Sequence, residues 1–323
     1  MIRELQFRRL PIQFWTSPDI VISTLRDKFR VSENGQLKGE TKGGSMSVNR
    51  LVIEAGRAEH HYWRDLWRFR ELFLMLAWRD LAVRYKQTIV GVAWSVLRPF
   101  LTMVIFTVVF GKLGNFPSGG VPYPLLVYAA LLPWQLFANA LSDSGNSLVG
   151  NVHLISKVYF PRLIIPATAL IVSLVDFFIS MGVMAALMLW YGFWPSASVL
   201  ALPLFIVAAL LAAMGPGLLL TALTVKYRDF RFITPFIVQI GLFISPVAYS
   251  SSLVREKFPE IVYHLYCLNP MVGVIDGFRW ALLGSNFAVN WSGFAVSFTV
   301  STLMLLIGIW YFRRTERRFA DVI

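Results

Sequence analysis

Two side chains in this sequence stand where charge is expensive. Arg98 and Asp176 each interrupt a long apolar stretch, and an ionised group at the centre of a membrane helix costs at least about 2.5 kcal/mol, so both are candidates for function. Arg98 precedes Pro99 and can either snorkel or bond backbone that the proline frees. Asp176 can pair with Arg98 or face a polar cavity. A proton relay needs more intramembrane acids than this one.

Ordinary catalytic chemistry finds little support. No GxxxxGK[ST] phosphate loop occurs, and Gly111-Lys112 lacks both the upstream glycine and the following Ser or Thr, so this chain is not expected to hydrolyse nucleotide or to carry a cofactor. There is no GxSxG elbow, no DxD pair and no pair of acids within one apolar stretch. His60, His61, His153 and His264 show no metal-ligand spacing. Cys267 is the sole cysteine, which excludes an intrachain disulfide and a thiolate metal cluster.

The elements that must position Arg98 and Asp176 are membrane helices. A bilayer core about 30 Å thick takes about 20 mainly apolar residues per helical span, and such stretches run near 89–110, 123–141, 165–190, 198–225, 232–252 and 293–312. Backbone in hydrocarbon must satisfy its own hydrogen bonds, which makes these helices, and the absence of alternating ten-residue segments excludes a β-barrel. The fold class expected is therefore an all-α integral membrane protein with six spans. Of the 30 Lys and Arg residues, 25 fall in the odd-numbered compartments and 4 in the even-numbered ones, Arg98 lying within a span. The positive-inside rule then places both termini in the cytoplasm. That pattern accounts for the net charge of +12 without nucleic acid as a partner.

Four regions follow: a polar cytoplasmic tail over 1–62, an amphipathic interface helix over 63–88, the transmembrane domain over 89–312 and a cytoplasmic tail over 313–323. The first contains a Gly, Lys and Ser cluster from Gly35 to Ser47 that reads as a linker, and Met46 is an alternative start. No apolar run near Met1 resembles a signal peptide, so the first span is expected to act as the insertion signal. In the second, Leu66, Phe69, Phe73, Leu76, Ala77 and Leu81 recur at helical spacing. The cytoplasmic loop Ser142 to Pro161 carries Leu148, Val152, Leu154 and Ile155 among polar residues, a short amphipathic helix suited to docking a subunit. Residues 253–292 are too apolar for an ordinary loop, yet Asn269, Pro270 and Gly273 divide them into runs too short to span. Two re-entrant half-helices before the last span fit this pattern.

KYRDFRFITP at 226–235, ISPVAY at 244–249 and LNPMVGVIDGFRWALLG at 268–284 resemble the permease subunit of ABC-2 type exporters. The stretch from Asp65 to Gly111 is similar to the surface helix and first span of the polysaccharide-exporting branch. The resemblance implies a homodimer in the bacterial inner membrane, in contact with membrane lipid and with two copies of a separate ATPase that binds ATP and Mg. It implies export of a lipid-linked polysaccharide such as O-antigen, with teichoic acid and capsule exporters as alternatives and a proton-coupled secondary transporter as a rival class. ATPase docking then maps to Trp67, Arg70, Leu148, Val152, Leu154 and Ile155. The path maps to the first and fifth spans, at Met103, Phe106, Phe110, Phe236, Phe243 and Tyr249. Pro99, Met103, Phe106 and Phe110 share one helix face; an aromatic stripe of this kind can stack on sugar rings or pack against neighbouring helices.

Overall fold

The computed structural model describes residues 62–86, 89–158, 160–284, 287–316 and 319. The expected N-terminal tail, with its linker, Met46, His60 and His61, lies outside them apart from Tyr62. Among the described residues every regular element is a helix. Two helices, α1 (Tyr62–Arg68) and α2 (Arg70–Lys86), precede the first long apolar helix, α3 (Ile89–Phe106), which continues as a π-helical stretch, Thr107–Leu113. Next come α4 (Tyr123–Gly150), the short α5 (Val152–Lys157), α6 (Ile164–Trp190) and α7 (Leu202–Lys226). The chain ends with α8 (Phe230–Ile244), α9 (Ser251–Lys257), α10 (Glu260–Tyr266), α11 (Pro270–Leu283) and α12 (Trp291–Glu316).

Five helical stretches are long and apolar enough to cross a membrane: Ala93–Leu113, Tyr123–Gly150, Ile164–Trp190, Ala197–Lys226 and Trp291–Glu316. The span expected at 232–252 is a helix of only 15 residues. It stops where Ser245 turns extended ahead of Pro246, a conformation that proline imposes on its predecessor. The expected span at 123–141 runs nine residues further, to Gly150, giving about 42 Å of helix at 1.5 Å per residue. Likewise α12 carries on through position 312 to Glu316. Where two re-entrant half-helices are expected, in 253–292, the chain forms the short helices α10 and α11 after the end of α9. Asn269 accepts a hydrogen bond from the Met271 N–H as the cap of α11, with Pro270 beside it, and Gly284 at φ 77° ends that helix.

Helix α4 is the axis of the bundle. Every residue from Leu125 to Leu132 is at most 2% exposed, because α3, α6, α7, α8 and α11 all pack on it. A second close contact joins α7 to α12. A Cβ placed on Gly308 would lie 2.4 Å from the Gly215 carbonyl oxygen, so the two backbones touch there, and only small residues permit it. Beneath this core a separate apolar cluster gathers Tyr62, Leu72, Leu76, Leu148, Leu218 and Phe312. It holds the surface helices, the α4–α5 corner and the end of α12 at one end of the molecule. Leu204, Val207, Leu303 and Ile307 point outward, as lipid-facing positions do.

Candidate functional site

Two polar assemblies stand out against this apolar frame. The first is a seam between α2 and the bundle. Arg84 reaches both Asp176 on α6, at 2.7 Å, and Asp143 on α4, at 2.9 Å. The Tyr85 hydroxyl donates to Asp176, and Ser95 of α3 donates to the same carboxylate at 3.4 Å. One turn earlier Arg79 holds Asp80 and donates to Asn151 at 2.7 Å, while Thr168 of α6 donates to Asp80 at 3.2 Å. Burial draws the Arg84 guanidinium down, but Asp143 and Asp176 more than offset it, so it stays firmly charged. Burial, with the bond to Asp176, pushes the Tyr85 hydroxyl up and keeps it a donor.

Asp176 thus pairs with Arg84 of the surface helix and not with Arg98. It also faces a polar cavity of about 210 Å³ between α3, α4 and α6, whose mouth Arg98 occupies. Both expectations for Asp176 therefore concerned real features, but the partner was misplaced, since linear sequence does not say which helix α2 lies against.

The second assembly is a clamp around Arg279, a residue that sequence reasoning counted merely as an external charge. It is 1% exposed and donates to three main-chain carbonyls: Tyr249 at 2.8 Å, Val247 at 3.0 Å and Leu126 at 3.4 Å. Tyr123 donates to the carbonyl of Ala248, Asn269 to Ser245 at 3.0 Å, and Tyr266 to the Tyr249 hydroxyl at 3.2 Å. The irregular backbone of the SPVAY turn, stripped of helical partners by Pro246, is thus satisfied from α4 and α11, while α10 holds the Tyr249 side chain. The clamp also shows why the ISPVAY and GFRW segments matter to each other.

The aromatic positions proposed for a path are not gathered around one opening in the chain. Met103 and Phe106 are buried, Phe106 against Phe110 and Phe243 at ring separations of 5.3 and 6.3 Å. Phe110 is half-buried and stacks on Phe116 at 5.7 Å. Packing therefore accounts for the α3 stripe within one chain. The exposed aromatic face belongs to α8, at Phe232, Phe236 and Phe243. Tyr249 donates to the Ile244 carbonyl at 3.1 Å.

The docking positions divide in two. Leu148, Leu154 and Ile155 lie in the chain's own core, in one cluster with residues of α1, α2, α6, α7 and α12, and Val152 is half-buried. They fix α5 in place and present nothing to a partner. The outward residues of that segment are His153, Ser156 and Lys157. Trp67 and Arg70 are exposed and stacked on each other at 5.7 Å. A cavity of about 450 Å³ opens beside α5, with Val149, Val152 and Val225 in its wall and Arg228, Arg231 and Phe232 around them. Among the described residues no group of His, Cys, Asp and Glu could hold a metal ion.

Residues 71–283 match the model of the ABC-2 type transporter family. The chain is similar to two O-antigen export system permease proteins RfbA from Klebsiella pneumoniae, each 26% identical over 254 residues, covering 78% of this chain and 95% of the relative. It is also 27% identical over 218 residues to an O-antigen export system permease protein RfbA from Myxococcus xanthus, covering 67% of this chain and 82% of that one.

Proposed function

The chain belongs to the ABC-2 type transporter family, and from that footing we propose that it is the permease subunit of an exporter that moves a lipid-linked polysaccharide of the O-antigen kind across the bacterial inner membrane. The observation that carries this reading is the similarity to O-antigen export permeases along nearly their whole length. The energy comes from a separate ATPase that binds ATP and Mg, two copies serving a permease homodimer. Vesicles containing the permease and its ATPase test it: ATP should drive an O-antigen glycolipid to the opposite leaflet. Hydrolysis that moves teichoic acid or capsule lipid, and not that glycolipid, would reassign the cargo.

Six crossings with both termini cytoplasmic is the topology we favour. What supports it is the gathering of α1, α2, α5, the end of α7 and the end of α12 at one end of the molecule, where Tyr62 donates to Glu316 at 3.2 Å and the Arg162 N–H donates to it at 2.8 Å. The chain between Lys226 and Trp291 must then cross to the opposite end before α12 brings it back, so α8 with the SPVAY turn serves as the fifth crossing. The loop charges favour the same orientation. With Cys267 replaced by Ser, single cysteines at Ser118 and Ser196 are expected to react with an impermeant thiol reagent in intact cells, and one at Lys157 is not. Labelling at Lys157 would invert the orientation.

The ATPase in this reading docks on the outward side of α5, on Trp67 and Arg70, and at the cavity flanked by Arg228 and Arg231. Replacing His153 and Lys157 with Glu is expected to abolish co-purification of the ATPase at an unchanged melting temperature, since both side chains are exposed. Leu154→Asp should instead unfold the α5 corner, because it buries a charge with no partner. A His153/Lys157 double variant that retains its ATPase and its export would remove α5 from the docking surface.

A further inference from the structure

We propose that the cavity between α3, α4 and α6 binds the phosphate group of a membrane lipid, with Arg98 as the residue that takes its charge. Arg84, the other cation in the cavity wall, is already shared between Asp143 and Asp176. Among the described residues the Arg98 guanidinium has no acid, no ring and no hydrogen-bond acceptor; its carbonyl alone is engaged, accepting from Thr102 at 2.9 Å. An arginine left in this state near a bilayer core draws an anion to itself or reaches for water.

Position and shape favour a lipid. Arg98 lies nine residues past the start of α3 at Ile89, about 14 Å along the helix axis, a depth that its long side chain shortens by extending towards the headgroup layer. Trp94, one turn earlier on the same face, is 58% exposed at the cavity mouth, and tryptophan concentrates at that depth. Asn139 and Ser180 line the same space and can donate to phosphate oxygens. Leu97, Leu101 and Ile105 continue outward along α3 as an exposed apolar strip against which acyl chains can lie. The planar guanidinium fork fits two phosphate oxygens at once.

The inference goes beyond the export reading and does not depend on it. Native mass spectrometry of the full permease–ATPase complex, offered phosphatidylglycerol, diacylglycerol or inorganic phosphate, provides the test. The wild-type complex should retain phosphatidylglycerol and not diacylglycerol, and free phosphate should fail to displace it. Arg98→Gln should lower phosphatidylglycerol occupancy about tenfold, equivalent to about 1.4 kcal/mol, at an unchanged melting temperature. Arg98→Lys keeps the charge without the fork and should fall between the two, so it carries the test if the Gln variant does not fold. Equal occupancy in all three proteins would overturn the phosphate site. Free phosphate binding in an Arg98-dependent way without phosphatidylglycerol would overturn its assignment to a lipid. Neither result would touch ATP-driven movement of the glycolipid, which is measured separately.

Discussion

Arg279→Leu is expected to produce the largest loss of stability of any single substitution in this protein. Leucine fills part of the volume but takes the donor from the carbonyls of Val247 and Tyr249, while that of Leu126 keeps its helical partner within α4. Each buried acceptor left unsatisfied costs about 1 to 3 kcal/mol, so the two together cost about 2 to 6 kcal/mol. At about 2 to 4 °C per kcal/mol for a chain of this order of size, the melting temperature in detergent should fall by roughly 10 °C. Arg279→Lys should recover only part of this, because an ammonium lacks the fork that reaches two carbonyls at once. Damage should centre on the SPVAY turn, read as faster labelling of a cysteine placed at Ala248. A variant that melts like the wild type would mean that the turn finds other donors and that the clamp is dispensable.

Much of this architecture is legible in the sequence, and what is not legible fails for identifiable reasons. Apolar length finds α3, α4, α6, α7 and α12, since membrane helices answer to a local constraint. Asn269-Pro270 and Gly284 mark both ends of α11 by ordinary capping chemistry. The short α8 was misjudged in length because Val247 and Ala248 prolong the hydrophobicity after Pro246 has ended the helix. Arg279 was overlooked although its anomaly is plain: an arginine between Phe278 and Leu283 in an unbroken apolar run. Its acceptors lie 30 to 153 positions away, beyond any local pattern. For Leu148, Leu154 and Ile155 the amphipathic spacing correctly identifies buried positions. Spacing alone does not say whether the chain itself or a partner buries them, and here the chain itself does.

In the docking proposed above, with the ATPase at α1, α2 and α5, the surface helix α2 would be the lever that acts on the spans, and Asp176 the point where that lever is fastened. Asp176→Ala removes the acceptor of the Tyr85 hydroxyl and one of the two acids that hold Arg84. A hydrogen bond to a charged group contributes about 1.5 to 3 kcal/mol, so stability should fall by about 2 to 3 kcal/mol. Export should fall further than ATP hydrolysis does, because the motor still turns while α2 no longer drags α6 with it. Arg84→Ala combined with Asp176→Ala isolates the pair: the double variant should be more stable than the sum of the single losses implies, by about 1 kcal/mol or more. The Arg84–Asp143 cycle should give a smaller term, since the Asp143 side chain is 40% exposed and that of Asp176 is 6% exposed, and solvent weakens an exposed pair. Single losses that add to within about 0.5 kcal/mol, with transport per ATP unchanged in Asp176→Ala, would show that α2 is held by its apolar face alone and that the coupling runs elsewhere.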